Sequence, residues 1–438
     1  MSEQKGSLGI LVGGGPAPGI NGVISAVTIE ARRKNLKVYG IYDGYKWLTQ
    51  GSVEELKKWL VEDNSKKLKK HVIPLRISNV SRIHFNGGSI LRTSRTNPKT
   101  VKNGIENSVE MLKALDIKYM VTIGGDDTAF GASQIAAEAK KRGEEIKFAH
   151  VPKTIDNDLP LPNNLSTFGF QSARDLGSAL VKNLMEDARV TGRWYTLVAM
   201  GRSAGHLALG IAKTAGATLA IIPEEFKKQK ITVDEICDIF DGAILKRKAM
   251  GNDHGVMVIA EGVSGKLDKK SLENAMKHEI STDDYGHIQL ADVDLGRIIK
   301  ENIEKRFDNR GIKFRTVVIN LGYILRCADP NAFDREYIKN LGYQAVNHLL
   351  NEDDKENIMV CVDNAELVRI TFDEMLDSRT GKTEVRRVNT DGAIYKVARN
   401  YMVTLEKRDL EDPEFLSKMA KIAKIEPEKF KKKYEYLV

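Results

Sequence analysis

Short β-branched or aliphatic runs alternate with helix-patterned segments along most of this 438-residue chain, and glycines and carboxylates gather where the runs end. Leu8–Val12 precedes a helical pattern over Asn21–Arg33, and Lys37–Tyr42 reads as the next strand. Lys118–Ile123 precedes a helix that begins near Ala129, and Lys147–Val151 follows it. Further on come Trp194–Met200 with a helix over Ser203–Thr214, Thr218–Ile222 with a helix over Val233–Lys246, then Val256–Ala260 and Val317–Leu321. This alternation predicts an α/β architecture with mostly parallel sheets. In such sheets ligands bind beyond the carboxyl ends of the strands. The residues past about 353 carry mixed charge and fewer strand-like runs, and close on a helical pattern over Asp412–Lys432. They read as a C-terminal extension.

The strand ends carry residues suited to phosphate chemistry. After the first strand comes GGGPAPGIN (Gly13–Asn21), where Gly14, Gly15 and a helix N-terminus can approach a phosphate. Two prolines interrupt any GxGxxG spacing, and no GxxxxGK[ST] is present, so a nicotinamide or P-loop reading is weak. GGDDT (Gly124–Thr128) places Asp126 and Asp127 behind two glycines, and magnesium typically takes one or two carboxylates plus phosphate oxygens. PKTIDND (Pro152–Asp158) offers Lys153 and an alternation in which Thr154, Asp156 and Asp158 face one side of an extended backbone. One of these carboxylates can take a proton from an attacking hydroxyl. Met200-Gly201-Arg202, Glu261-Gly262 and Arg326 close later strands, and Arg193 precedes one. Arginine forks suit phosphate monoesters. Taken singly, acid pairs are commonly solvated loop residues and lone arginines commonly form surface pairs. Their concentration at strand ends favours a site.

Other classes are disfavoured. The net charge of +8 admits nucleic acid or small phosphorylated substrates. The lysine clusters Lys66–Lys70 and Lys429–Lys433 lie in polar helical context without interleaved aromatics, so they read as solvated helix faces. No apolar run reaches membrane-spanning length, and the apolar run near the N-terminus is too short and glycine-rich for a signal peptide. Cys237, Cys327 and Cys361 are scattered and form no CxxC. That pattern fits a reducing cytoplasm.

The motifs GGGPAPGIN, GIYDGY (Gly40–Tyr45), GGSILRTSR (Gly87–Arg95), GGDDT, PKTIDNDLP, TFGFQSA (Thr167–Ala173), MGR and IAEG (Ile259–Gly262) occur in the order found in 6-phosphofructokinases. The resemblance runs from about residue 8 to 350, and is strongest to the pyrophosphate-dependent branch. It implies a phosphofructokinase fold of two Rossmann-like three-layer domains plus the extension. The boundaries it implies are a phosphoryl-donor domain over 1–165, a fructose 6-phosphate domain over 166–352 whose late segment crosses back, and the extension over 353–438, packed on the core. It implies Asp156 as the base for the 1-hydroxyl of fructose 6-phosphate, with Thr154 and Asp158 positioning hydroxyl and phosphoryl group. Asp126 would hold Mg2+. Gly14, Gly15, Arg95 and Gly131 match donor-phosphate positions. Met200, Gly201, Arg202, Glu261 and Arg326 match the sugar-phosphate site. Tyr323 stands where bacterial ATP enzymes have a histidine. Arg193 matches an arginine lent by a neighbouring subunit, which implies a homodimer or homotetramer. The effector-binding arginines of the bacterial ATP enzymes are replaced by Ser25 and Ile29. Glu224 matches an effector-site glutamate, but a carboxylate alone does not hold anionic effectors, so weak or absent allosteric control is expected.

The donor is read from two side chains. In the ATP branch of the resembled family, glycines stand where Asp127 and Lys153 stand. A carboxylate at 127 adds volume and charge where a nucleotide's α-phosphate would lie. Like unit charges about 4 Å apart repel by roughly 4 kcal/mol at an effective dielectric near 20. Pyrophosphate has no such group, and Lys153 can neutralise the departing phosphate. Pyrophosphate is therefore the expected donor, with inorganic polyphosphate admitted by the same terminal phosphoanhydride. ATP is the alternative.

Overall fold

The computed structural model describes residues 6–61, 65–162, 165–276, 293–376 and 383–438. Its strands, in chain order, are β1 (Ser7–Val12), β2 (Lys37–Ile41), β3 (Val72–Leu75), β4 (Ile117–Gly124), β5 (Lys147–Pro152), β6 (Trp194–Ala199), β7 (Leu219–Ile221), β8 (Gly255–Ala260), β9 (Thr316–Leu321), β10 (Ile358–Asp363) and β11 (Glu366–Thr371). The chain divides into two compact units. One runs to Ala173 and resumes over Tyr323–Arg386; the other holds Arg174–Gly322 and Arg387–Val438.

The first unit is built on a sheet of order β11-β10-β5-β4-β1-β2-β3. Its inner pairs are parallel, and only β3 and β11 run antiparallel at the edges. Every residue of β1 is buried, as a strand covered on both faces requires. Leu8, Ile10 and Val12 pack with Ile20, Val23 and Ile338, while Leu11 packs with Val109, Leu112 and Ile135. Successive residues of one strand thus feed opposite layers. Full burial of each such side chain contributes ~1.5–3 kcal/mol. From β1 the chain moves to β2 on one side, while β4 and β5 lie on the other. That reversal of order opens a crevice at the carboxyl ends of β1 and β4.

The second unit carries an all-parallel sheet of order β7-β8-β6-β9. Ala199 at the end of β6 pairs with Ala260 of β8 and with Leu321 of β9. The residues that follow those three strands therefore lie side by side.

The first boundary, read at 165, falls at Ala173 in this division, and residues 353–438 do not form one body. β10 and β11 extend the first sheet, whereas the helices Pro413–Ala423 and Pro427–Tyr434 belong to the second unit. Ile358–Val362 is a continuous apolar run, which periodicity alone does not distinguish from a buried helical turn. The terminal helices are held from within. Tyr434 Oη donates to buried Asp241 Oδ2 at 2.6 Å, and Arg310 Nη2 donates to Oδ1 at 2.6 Å. Lys429 and Lys432 are exposed while Phe430 and Tyr434 are buried, as on an amphipathic helix, and Lys433 Nζ donates to Asp241 Oδ2 at 3.4 Å. Lys66, Lys67, Lys69 and Lys70 are likewise exposed. Among the described residues no helix is long and apolar enough to cross a membrane.

Candidate active site

The donor-loop residues sit at the crevice of the first sheet. Gly13 N–H donates to Ile123 O and Gly14 N–H to Ser94 O, each at 2.9 Å, and Thr93 Oγ1 donates to Gly14 O at 2.6 Å. Gly14 has φ 78°, a left-handed conformation that favours glycine. Gly14, Gly15 and Pro16 remain partly exposed, but residues 17–25 are buried. The N-terminus of the following helix, Ile20–Arg33, is packed against Phe168 and Ile338. The exposed rim of the glycine turn, rather than that helix end, is the part open to a ligand.

The two carboxylates after β4 are not in a loop. Gly125 is the N-cap, and Asp126 and Asp127 open the helix Asp126–Lys141, both exposed. Acidic side chains in a first turn are stabilised by the helix dipole. Gly131 lies farther along that helix, buried where a Cβ would come within 3.0 Å of the Tyr45 ring and 3.2 Å of Pro98. Its close approach is to protein rings. Arg95 is exposed, next to Ser94, which bridges to Gly13.

Lys153 follows β5, only 3 % exposed, and its N–H donates to Gly124 O at 2.7 Å. Its Nζ donates to the carbonyl of Gly15, tying the end of β5 to the glycine turn. Burial, and then the Arg326 guanidinium, lower its pKa to about 8, against the upward pull of Asp156, Asp126 and Asp158. A Cβ on Gly15 would stand 3.4 Å from Arg326 Cζ. Arg326, expected with the sugar-phosphate residues, is thus found over the donor turn within the first unit. Tyr323 is exposed and stacks under the same guanidinium, 5.1 Å from ring centroid to Cζ.

Thr154, Asp156 and Asp158 lie in one turn rather than on extended backbone. The segment bends at Ile155 and Asp156, and Asn157 has φ 57°. Asp156 N–H donates to Thr154 Oγ1 at 3.0 Å, and the Thr154 hydroxyl also bonds the Asp158 carboxylate. A tight turn, rather than strand alternation, sets the placement of these residues. Burial, then the nearby Asp126 charge, raise the Asp158 pKa. Beneath the turn, buried His150 is neutral, its Nε2 3.1 Å from Gly124 O and its Nδ1 2.9 Å from Thr122 Oγ1. Burial is the main cause that lowers its pKa to about 3.

In the second unit, strand register sets the remaining residues. Met200, Glu261 and Gly322 each follow one of the three paired strand ends, and Met200 N–H donates to Leu321 O at 3.3 Å. Gly201 has φ 139°, and Gly262 N–H donates to its carbonyl at 2.9 Å. A Cβ on Gly262 would come within 2.7 Å of Arg202 O. Arg202 is exposed and Glu261 half-buried. Arg193 stands at the other end of β6, exposed and hydrogen-bonded to the Tyr195 hydroxyl. At about 3.3 Å per residue it lies roughly 20 Å from Met200. Glu224 Oε1 accepts the backbone N–H of Gly205 at 2.9 Å and of Val388 at 3.0 Å. That carboxylate is a structural tie.

Among the described residues no group of three or more His, Cys, Asp or Glu side chains converges as a metal cage. Two signals lay outside the sequence reading: the Arg326 stack on the donor turn, and Arg386, whose guanidinium grips Asn157. Nothing in the local sequence links either to its partner.

The phosphofructokinase family profile matches residues 7–349. The chain is 53% identical over 435 residues to a pyrophosphate–fructose 6-phosphate 1-phosphotransferase of Thermotoga maritima, covering 99% of this chain and 98% of the relative. It is 44% identical to a protein of the same name from Naegleria fowleri, over 99% and 96% of the two chains. Among solved structures it resembles a pyrophosphate-dependent phosphofructokinase from Nitrosospira multiformis, with a TM-score of 0.64 at 18% identity over 92% of each chain. Glycine turn, helix with two acids in its first turn and threonine–aspartate turn thus coincide with a match across most of the chain, and the protein belongs to the phosphofructokinase family.

Proposed function

We propose that this chain reversibly transfers a phosphoryl group from pyrophosphate to the 1-hydroxyl of fructose 6-phosphate, giving fructose 1,6-bisphosphate and phosphate. The observation that carries the donor assignment is buried Lys153, bonded to the Gly15 carbonyl beside the carboxylates Asp156, Asp126 and Asp158. The names of the Thermotoga and Naegleria relatives support the same reading.

Catalysis in this reading is positioning and charge stabilisation. Asp156 takes the proton of the attacking hydroxyl. Thr154 and Asp158 orient that hydroxyl and the phosphoryl group. Gly14, Gly15 and Arg95 receive the donor, Lys153 neutralises the leaving phosphate, and Arg326 adds positive charge over the same turn. Asp127 limits the pocket to donors without a nucleotide. Gly131 acts through packing. Met200, Gly201, Arg202 and Glu261 hold the sugar phosphate, with Tyr323 as a further hydrogen-bonding group. Mg2+ fits Asp126, because the Asp126 charge that raises the Asp158 pKa is what a divalent ion offsets. When bound, the ion screens the donor oxygens and polarises the phosphoanhydride. Inorganic polyphosphate enters as a second donor, and the reaction runs in the cytoplasm.

Because Arg193 and Met200 close opposite ends of one strand, Arg193 serves the sugar phosphate of a second subunit. The working enzyme is then a homodimer or homotetramer. The test of the whole reading is purified protein with fructose 6-phosphate and magnesium, supplied with pyrophosphate, polyphosphate or ATP. We expect kcat/KM to be highest with pyrophosphate; a higher value with ATP would overturn the donor assignment.

Lys153 gives this reading a pH signature. The ammonium is the useful form, so kcat/KM for pyrophosphate should hold to about pH 7 and decline as pH rises through about 8. Stability should move the other way. A lysine whose pKa is depressed from the unfolded value of about 10.4 binds fewer protons when folded, so its contribution rises with pH between about 8 and 10.4. Rate profiles and thermal melts over pH 6–10 check both signs. A flat rate profile across this range would remove the Lys153 ammonium from the rate-limiting chemistry.

A further inference from the structure

We propose that Arg386, which lies beyond the family-matched residues, is the positioning residue of the catalytic turn. The family match ends at residue 349. The inference rests on the phosphotransfer reading above.

The contacts are specific. Arg386 Nε donates to Asn157 O at 3.2 Å, and Nη2 donates to the same carbonyl at 3.1 Å and to Asn157 Oδ1 at 2.5 Å. Nη1 donates to Leu165 O at 2.6 Å, and the Arg386 N–H donates to Asp158 O at 2.8 Å. One planar fork thus holds both the main chain and the side chain of the residue between Asp156 and Asp158. A fork of fixed geometry restricts orientation in a way that a point charge cannot.

The grip passes on to Thr154. Asn157 Oδ1 also accepts the Thr167 N–H at 3.0 Å, and Thr167 Oγ1, fully buried, donates to Thr154 O at 2.7 Å. Asn157 sits at φ 57°, a left-handed conformation that asparagine tolerates, and these bonds supply its hold. The neighbouring bonds do not supply it alone: Asp156 N–H to Thr154 Oγ1 lies within the turn itself. Arg386 ties the turn to a distant part of the chain, 229 residues away in sequence. The extension therefore acts on the chemistry without touching a substrate.

The test uses full-length Arg386→Ala and Arg386→Lys beside the unmodified enzyme, assayed with whichever of pyrophosphate or ATP supports turnover. Misplacing reacting groups by about 1 Å costs on the order of 10²-fold, so Arg386→Ala should lose about that much kcat, with KM for both substrates within about threefold. Arg386→Lys keeps the charge without the fork and should still lose roughly tenfold. Millimolar methylguanidinium should restore kcat to Arg386→Ala and leave Asp156→Asn unchanged. A loss confined to KM, full kcat in Arg386→Ala, or full kcat in Arg386→Lys would overturn the assignment. If Arg386→Ala does not fold, the Lys variant decides. An unmodified enzyme inactive with both donors would instead overturn the phosphotransfer reading.

Discussion

Asp156→Asn should lower kcat by ~10²–10⁴-fold, the usual contribution of a positioned general base. The substitution is nearly isosteric, so the turn should survive. Its N–H to Thr154 Oγ1 bond is made by the backbone and does not depend on the carboxylate. Arg386 bonds Asn157, Leu165 and the Asp158 carbonyl, contacts that the substitution leaves in place. KM for fructose 6-phosphate should consequently move little, because the missing interaction is with a proton in flight. One secondary effect is foreseeable. Asp156 is the foremost of the charges holding the Lys153 pKa up against burial, so its loss should shift the alkaline decline of any residual activity to lower pH. Steady-state kinetics in both directions, with a thermal melt as control, measure this. Retention of more than a tenth of normal kcat would remove Asp156 from the role of base.

The second large effect concerns the donor. Asp127→Gly should raise kcat/KM with ATP and leave the pyrophosphate rate within a fewfold. The charge argument sets a ceiling of roughly 4 kcal/mol, which is on the order of 10³ in affinity. The structure lowers the expectation, because Asp127 is exposed at the start of a helix and water screens it. A gain of about 10-fold, rising toward 10³ where bound nucleotide excludes solvent, is the expected range. Asp127→Asn separates the causes: it keeps the volume and removes the charge. An Asn variant that gains as much as Gly assigns the filter to charge, and one that gains nothing assigns it to bulk. If neither variant uses ATP better, the filter does not reside at 127. Lys153→Gly is not a clean companion. Its ammonium bonds the Gly15 carbonyl, so its removal frees the donor turn as well as the pocket. It should cost pyrophosphate activity irrespective of any gain with ATP.

Much of the fold was legible in the chain, for identifiable reasons. The runs that became β1, β4, β5, β6 and β8 are short, apolar and bounded by glycine or charge, so each read as a strand within a residue or two of its position. The candidate site residues could be picked out because parallel sheets put ligand groups at strand ends, and the glycines and acids stand there. What was missed is also explicable. The helix Phe170–Thr191 carries no local signal that separates it from the motif at its start. Asp126 and Asp127 looked like loop residues because acids are common in both loops and first helical turns. The bend at Asn157 depends on a positive φ that asparagine tolerates but does not announce.

The sequence by itself determined the chemistry available: an acid pair behind two glycines, a threonine–aspartate run beside a lysine, and the matching order of motifs. These are local, and local chemistry survives without knowledge of the fold. Only the tertiary structure decided what those groups experience. Burial beneath the glycine turn, not the identity of Lys153, brings its pKa to about 8. Chain return from residue 323 sets Arg326 over Gly15, and the last residue of the first unit, Arg386, closes on a turn 229 positions earlier. Such contacts depend on distances in space between residues far apart in sequence, and no local pattern encodes them.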